Sequence, residues 1–277
     1  MSIVTITINM IFVVILAMPS ISTAEVFYPE PDKDNMHFIN DLFDIKCPAT
    51  ENKRSVYLCA LTMLRKSPED SLKSKESLLW LSSENIVDAK YSLFISRKSL
   101  KISDQEAVKY LMEAAKEGLP KAQLELSKLY LHGEILQQNN EESYKWIKNS
   151  AEGKNYEGMR YLSKYYFSGT GVKKNDSLGF FWLHKLYEDY GPLFDDWGLL
   201  GRVYETGRGT PVDLVKAYMC YDLEGTAGIE EKARIAPKMT AEQRVEGLRL
   251  SHEWQEKNHV YTMQSLGLSR QKDGSYR

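Results

Sequence analysis

The sequence is poor in cysteine, proline and glycine, and it has no excess of either charge. Its 277 residues include three Cys, nine Pro and 17 Gly, which excludes a disulfide-dense small scaffold, a collagen-like repeat and a low-complexity linker. Lysine and arginine number 36 against 38 aspartate and glutamate, for a formal net charge of −2. A chain this close to neutral gives no electrostatic reason to expect a nucleic-acid partner. The hydrophobic fraction of 43% excludes a wholly disordered chain.

Long apolar runs are missing everywhere except at the N-terminus. Residues 1–24 carry no charged side chain, and an uninterrupted apolar run at 11–18 is followed by small residues up to Ala24. This layout is typical of a secretory signal peptide, so we expect cleavage after Ala24. The alternative is a membrane anchor, but even residues 3–18 are short for a membrane span. We therefore predict a periplasmic or secreted protein with no stable membrane span after cleavage.

Export to an oxidising compartment affects how the three cysteines are interpreted. Cys47 and Cys59 are separated by a short polar link, and Cys59 lies in an apolar run typical of a helix. We expect them to form a disulfide, which for a loop of this length stabilises the fold by roughly 3 kcal/mol. Cys220 is then the unpaired thiol. Its place in the repeat described below favours a buried structural role over a reactive one.

The most informative feature is a repeated pattern in the middle of the chain. Three segments align without gaps and share Leu at the fifth position, a small residue at the sixth, Tyr at the ninth and Gly at the twelfth. They are Ala122–Gly133, Gly158–Gly169 and Asp196–Gly207. Leucine at the fifth position and tyrosine at the ninth lie on one face of a helix, so each segment predicts a helix, which we call helix A. The small sixth residue allows a neighbouring helix to approach closely.

Each helix A is followed by signals for a turn and a second helix, which we call helix B. The second and third segments continue as Gly169-Thr-Gly171 and Gly207-Arg-Gly209, whereas the first lacks the second glycine. A residue able to cap a helix follows each turn: Asn139, Asn175 and Asp213. Seven residues after each cap stand Trp146, Trp182 and Cys220. Strand signals are nearly absent. We predict an all-α protein, an α/α superhelical solenoid of helical hairpins.

The pattern Leu-small-x-x-Tyr-x-x-Gly-x-Gly, followed by Asp and Lys-Ala, resembles the Sel1-like repeat. The fullest match is the segment Tyr204–Ala217, which contains Gly207, Gly209 and Asp213 at the required spacing. The resemblance implies an α/α superhelix related to tetratricopeptide solenoids, and a role as an interaction scaffold. It implies no shared catalytic residue.

The same patterns divide the chain into five expected parts. These are a signal peptide at 1–24, an N-terminal helical region with the Cys47–Cys59 disulfide at 25–84, a Sel1-like array at 85–227, C-terminal capping helices at 228–256 and a polar tail at 257–277. The array includes an earlier degenerate unit, in which Ser103 is positioned to cap a helix B but no Gly-x-Gly turn precedes it.

A column of basic residues in helix A is the candidate binding surface. Lys128, Lys164 and Arg202 share the seventh position, so they should form a row along the array. One interpretation is a basic stripe for an acidic partner surface, and the other is solvated charge covering the hairpin edges. The second position holds Gln123, Met159 and Trp197, with Tyr161 nearby. We expect these residues to contribute to the surface, with Trp197 exposed beside a cation.

Signals for chemistry are weak throughout the sequence. The Gly-x-Gly turns lack the Lys-Ser/Thr of a phosphate loop, no Gly-x-Ser-x-Gly elbow is present, and the five histidines have no metal-ligand spacing. We predict a protein-binding scaffold, adaptor or regulator of the cell envelope without enzymatic activity, cofactor or metal. Family analogy together with export suggests an alternative: an immunity protein that neutralises a periplasmic type VI secretion toxin, such as a phospholipase. A hydrolase is the third alternative.

Overall fold

The computed structural model describes residues 24–28, 47, 52–64, 66–191, 194–263 and 265–268. Residues 1–23 of the expected signal peptide and residues 269–277 of the expected tail lie outside the described part. Within the described ranges the backbone is helical or in turns, apart from an isolated parallel bridge between Glu25 and Ile86.

Twelve α-helices follow one another along the described chain, and consecutive helices pack against each other except for the last pair. They are α1 (Lys53–Met63), α2 (Pro68–Ser83), α3 (Val87–Ile95), α4 (Asp104–Lys116), α5 (Pro120–His132), α6 (Asn140–Glu152), α7 (Tyr156–Ser168), α8 (Asp176–Tyr190), α9 (Trp197–Thr206), α10 (Leu214–Leu223), α11 (Ile229–Ile235) and α12 (Ala241–Asn258). The A helices of the three repeats are α5, α7 and α9, and their B helices are α6, α8 and α10. The predicted all-α solenoid of hairpins is confirmed.

The predicted capping residues begin the B helices. Asn139, Asn175 and Asp213 each accept backbone N–H groups from the first helical turn, at 2.9–3.1 Å. The N–H group of each capping residue also donates to the carbonyl of the ninth-position tyrosine of the same repeat, at 2.8–2.9 Å. Both bonds recur in all three repeats, so the same pair of hydrogen bonds marks the start of each helix B.

Small residues at the sixth position allow the A and B helices of each hairpin to cross closely. Ser163 Oγ donates to the carbonyl of Gly179 at 2.8 Å. In the first repeat Ser127 Oγ lies 3.0 Å from Ser143 Oγ. In the third, a Cβ atom added to Gly201 would lie 2.6 Å from the Tyr221 ring. The close approach expected from the sequence is therefore present in all three hairpins.

The second glycine of the Gly-x-Gly turn lies where successive repeats meet. Gly171 and Gly209 have φ values of +65° and +78°, which favour glycine. A Cβ atom on Gly171 would collide with the carbonyl of Asn140, and one on Gly209 with the carbonyl of Asp176. Both carbonyls belong to the first residue of the preceding repeat's helix B. The second glycine is thus required for packing between repeats as well as for turning the chain.

Buried hydrophobic residues form two clusters that meet at α5. The N-terminal cluster includes Leu126 and Leu129, and the C-terminal cluster includes Leu124. Cys220 lies fully buried in the C-terminal cluster, and burial raises the pKa of its thiol far above the usual range. The burial predicted for this cysteine is confirmed.

A disulfide closes a loop within the N-terminal region, and backbone hydrogen bonds attach this region to the start of the array. Cys47 and Cys59 form the expected disulfide, with their Cα atoms 5.6 Å apart. The Glu25 N–H donates to the Asn85 carbonyl at 3.1 Å, and the Val87 N–H donates to the Glu25 carbonyl at 3.0 Å. The chain therefore joins the folded body at the residue that follows Ala24.

At the C-terminal end, α12 packs against α10 and covers the last repeat. A buried hydrogen-bond network strengthens this contact, because Ser251 Oγ of α12 donates to the Asp222 carboxylate of α10 at 2.7 Å. The expected boundary at residue 256 falls inside α12, which continues to Asn258. The Thr262 N–H then donates to Gln255 Oε1 at 2.8 Å. The first part of the expected polar tail therefore contacts the cap, and it carries four exposed apolar side chains: Val260, Tyr261, Met263 and Leu266.

Candidate protein-binding surface

The seventh-position basic residues lie on the solvent side of the A helices. Lys128 of α5 is half-buried, and Lys164 of α7 and Arg202 of α9 are exposed. Because they occupy equivalent positions in consecutive repeats, they follow one another along the array.

Tyr161 lies between the cations of the first and second repeats. The Nζ atoms of Lys128 and Lys164 are each 6.0 Å from the centroid of its ring, which is the outer limit of a cation–π contact. The ring is partly exposed. Three of the residues expected at the surface are therefore brought together there.

Acidic side chains compensate part of the positive charge of this row. Glu125 Oε1 lies 2.8 Å from Lys128 Nζ. Asp196 lies 4.0 Å from Lys164 Nζ and 2.6 Å from the guanidinium of Arg160. Burial raises the pKa of Asp196, while Lys164 and Arg160 act in the opposite direction.

The positive charge of Arg202, at one end of the row, is compensated less than that of the two lysines. Within the described ranges, no carboxylate lies within 4.0 Å of its guanidinium. The surface is thus a mixed one, aromatic and charged, in which the excess of positive charge lies toward the third repeat.

The second-position residues are buried, so the expected exposure of Trp197 is wrong. Gln123, Met159 and Trp197 are only 8%, 0% and 6% exposed. A helix turns by about 100° per residue, so positions two and seven are about 140° apart and cannot share the exposed face. Trp197 instead packs edge-on against Phe194 and Trp254, with centroid distances of 4.8 Å to each. Gln123 Nε2 donates to the Ala115 carbonyl at 3.0 Å.

The residues that lie beside the seventh-position cations on the exposed helix face are those of the fourth position. Positions four and seven are about 60° apart on a helix, so their side chains lie on one face. Position four holds Glu125, Tyr161 and Leu199, all of which are partly exposed. We call the six residues of positions four and seven the A-helix strip: Glu125, Lys128, Tyr161, Lys164, Leu199 and Arg202. Of the fourth-position residues, only Tyr161 was expected at the surface, although the i, i+3 spacing could have identified the other two.

An ion-pair cluster at the end of α9 attaches the capping helices to the third repeat. Arg234 Nη2 donates to Glu205 Oε2 at 2.6 Å, and the Tyr221 hydroxyl donates to the same oxygen at 2.9 Å. Hydrogen bonding from Arg234 lowers the pKa of Glu205 to about 2. Glu205 is therefore ionised at neutral pH and holds α11 against the array.

Groupings that could support metal chemistry were not found in the described part of the chain. No set of three or more His, Cys, Asp or Glu side chains there is arranged to hold a metal ion. No helix among the described residues has the length and hydrophobicity needed to cross a membrane.

The stacked hairpins and their recurring turns define a helical-repeat protein. The Sel1 repeat family model matches residues 120–155, 157–189 and 199–223. No curated protein matches the sequence. With the fold, the match to the family model shows that the chain contains three Sel1 repeats. Repeats of this family are in general protein–protein interaction modules.

Several solved structures resemble the chain, and two of them show the range of similarity. One is a Sel1 repeat protein from Oxalobacter formigenes, with a TM-score of 0.59 and 17% sequence identity, covering 80% of this chain and 98% of that one. The other is a protective antigen present in uropathogenic Escherichia coli strains and displaying an SLR fold. Its TM-score is 0.42 and its identity 19%, covering 74% of this chain and 56% of that one. The first of these structures agrees with the solenoid fold described above.

Proposed function

We propose that this protein binds a partner protein through the A-helix strip and acts as an adaptor or regulator in the cell envelope. The observation that carries the proposal is the partly exposed Tyr161 ring between Lys128 and Lys164, with the exposed Arg202 farther along the same row. Tyrosine and arginine are enriched among the residues that dominate binding energy at protein interfaces. Packed hairpins hold these side chains in place, so binding requires little backbone rearrangement.

The charges of the strip indicate the kind of partner surface that fits it. Since Glu125 and Asp196 already neutralise part of the positive charge near Tyr161, the partner contact there is expected to be aromatic or apolar. Toward Arg202 the partner is expected to present carboxylates. An acidic patch beside an apolar anchor matches this arrangement.

We also infer that the protein is exported and that its mature chain begins at Glu25. Two observations support this inference. The Cys47–Cys59 disulfide fits an oxidising compartment, and Glu25 is hydrogen-bonded to the α2–α3 junction. N-terminal sequencing of the protein from the envelope fraction should read Glu25 first. An intact Met1 on the isolated protein would contradict export by cleavage.

The binding proposal is tested by comparing two charge-reversal variants of equal net charge. The strip variant carries Lys128→Glu, Lys164→Glu and Arg202→Glu. The control variant changes three exposed lysines outside the strip to Glu: Lys109, Lys148 and Lys173. Tagged mature proteins are used to capture partners from the envelope fraction of the producing cell, and the affinity for the captured partner is then measured.

We expect the strip variant to bind the partner at least about tenfold more weakly, which corresponds to roughly 1.4 kcal/mol, and the control variant to stay within about twofold. Unchanged affinity of the strip variant, with its helix content retained, would reject the strip as the binding surface. The identity of the captured partner distinguishes the adaptor role from the immunity role. A sensor or envelope complex would support the adaptor role. A hydrolase that loses activity on stoichiometric binding would instead indicate an immunity role.

A further inference from the structure

A second concave surface lies in the N-terminal region, on elements other than the three A helices. It is a cleft of about 720 Å³ between the α1–α2 turn, the first turns of α2 and the turn that joins α3 to α4. Pockets of roughly 300–1,000 Å³ are the size that proteins use for small-molecule ligands.

Three lysines line this cleft: Lys66, Lys75 and Lys101. Each comes from a different wall, namely the α1–α2 turn, α2 and the α3–α4 turn. In the described part of the structure, none of the three forms an ion pair with a carboxylate. Three like charges around one cleft create a positive potential that a bound anion would relieve.

The two acidic residues in the first turn of α2 are engaged elsewhere. Glu69 pairs with Lys73 at 2.8 Å, and Asp70 Oδ2 accepts a hydrogen bond from Ser67 Oγ at 2.8 Å. Neither carboxylate lines the cleft. No acidic residue is among the described residues that line the cleft, so that part of its walls does not compensate the positive charge.

Apolar side chains also line the cleft. Leu64 and Leu100 lie in the walls, and Leu72 is 56% exposed one turn before Lys75 on α2. An exposed leucine beside a lysine favours a ligand that covers the first and pairs with the second. A bare inorganic anion would leave Leu72 in water, and a neutral apolar molecule would leave the lysines without a partner.

We infer that this cleft binds a small amphipathic anion, a phosphate or carboxylate group attached to an apolar chain. The lysine ammonium groups are compact donors that suit the oxygens of either head group. The site uses no residue of the A-helix strip, so it can be tested separately from the proposed partner binding.

Isothermal titration of the mature protein with simple amphiphiles, below their aggregation concentrations, tests the inference. Dodecyl phosphate and dodecanoate represent the two head groups, inorganic phosphate the head group alone, and dodecyltrimethylammonium the apolar chain with the opposite charge. We expect one-to-one saturable binding of at least one of the two anionic amphiphiles, and the tighter of the two identifies the head group. Inorganic phosphate should bind at least about tenfold more weakly, and the cationic amphiphile should not bind at this site. Failure of both anionic amphiphiles to bind, or equal binding of the cationic one, would overturn the inference.

Variants locate the binding in the cleft. Lys75→Glu with Lys101→Glu should weaken binding by at least about tenfold. Lys109→Glu with Lys116→Glu changes the charge equally at exposed lysines of α4 that do not line the cleft, and should leave the affinity within about twofold. Equal weakening by both pairs would assign the effect to net charge and reject the site. If the cleft variant fails to fold, the salt dependence of amphiphile binding to the unaltered protein is measured instead. An affinity that does not fall with added salt would contradict recognition by lysines.

Discussion

Replacing Gly209 with alanine tests whether the second glycine of the turn holds consecutive repeats together. At φ +78°, an L-residue is strained by roughly 1–2 kcal/mol. The new Cβ atom would lie 2.5 Å from the carbonyl carbon of Asp176, whereas carbon atoms in contact are about 3.5–4.0 Å apart. The turn must therefore move away from α8 by about 1 Å or more, and the displaced packing costs roughly 1–3 kcal/mol further. We expect a total loss of about 3 kcal/mol in the free energy of unfolding.

Gly118 provides a matched control for the backbone strain. Its φ is +92°, and a Cβ atom added there would meet no heavy atom within 4 Å. Gly118→Ala should therefore cost only the strain, roughly 1–2 kcal/mol. Urea unfolding followed by far-ultraviolet circular dichroism measures both variants against the unaltered protein. Equal losses for the two substitutions would refute contact between the turn and the preceding repeat.

Three further predictions concern the cysteines and the ion-pair cluster. The unfolded protein should present one reactive thiol before reduction and three after it. Reduction should lower the free energy of unfolding by roughly 3 kcal/mol. Three reactive thiols in the absence of a reductant would contradict the Cys47–Cys59 bond. In the native protein Cys220 should resist thiol reagents because it is fully buried, and rapid modification would contradict that burial. Glu205→Gln should cost roughly 1 kcal/mol at pH 7. Because Arg234 lowers the pKa of Glu205 from 4.5 to about 2, the stabilisation by its carboxylate is complete above pH 4.5 and lost as the pH falls toward 2. Unfolding curves whose difference does not shrink over that range would argue against the Arg234 contact.

Most of the repeat architecture could be predicted from the sequence because its signals are local. The caps at Asn139, Asn175 and Asp213 bond to N–H groups within three residues, so the residue type and its position are sufficient to place the start of each helix B. The small sixth residue likewise predicts a close helix crossing wherever it recurs. These features depend on spacing within a single hairpin, which the sequence displays directly.

The composition of the proposed binding surface was only partly predictable. The seventh-position row follows from the repeat alone, but its neighbours depend on the direction in which each side chain leaves the helix. Trp197 was expected in the surface because of its residue type, whereas the helical angle places it against Trp254 of the distant α12. That contact joins residues far apart in sequence and has no local signal.

The lysine-lined cleft illustrates a different limit of sequence analysis. Lys66 and Lys75 lie near each other in the sequence, but Lys101 belongs to a later turn. Their proximity arises because α3 packs against α2 and brings the α3–α4 turn back to the start of α2. No repeat pattern or motif marks this arrangement, since the three residues follow no common period.

Photo-crosslinking from position 161 tests the central claim most directly. A benzoylphenylalanine residue in place of Tyr161 keeps an aromatic ring at the centre of the A-helix strip, and the same residue in place of the exposed Lys148 on α6 serves as the control. After irradiation of the producing cells, we predict one dominant cross-linked protein from position 161 that is absent from position 148. Identical products from both positions, or none from position 161, would contradict the assignment of this strip as the partner-binding surface.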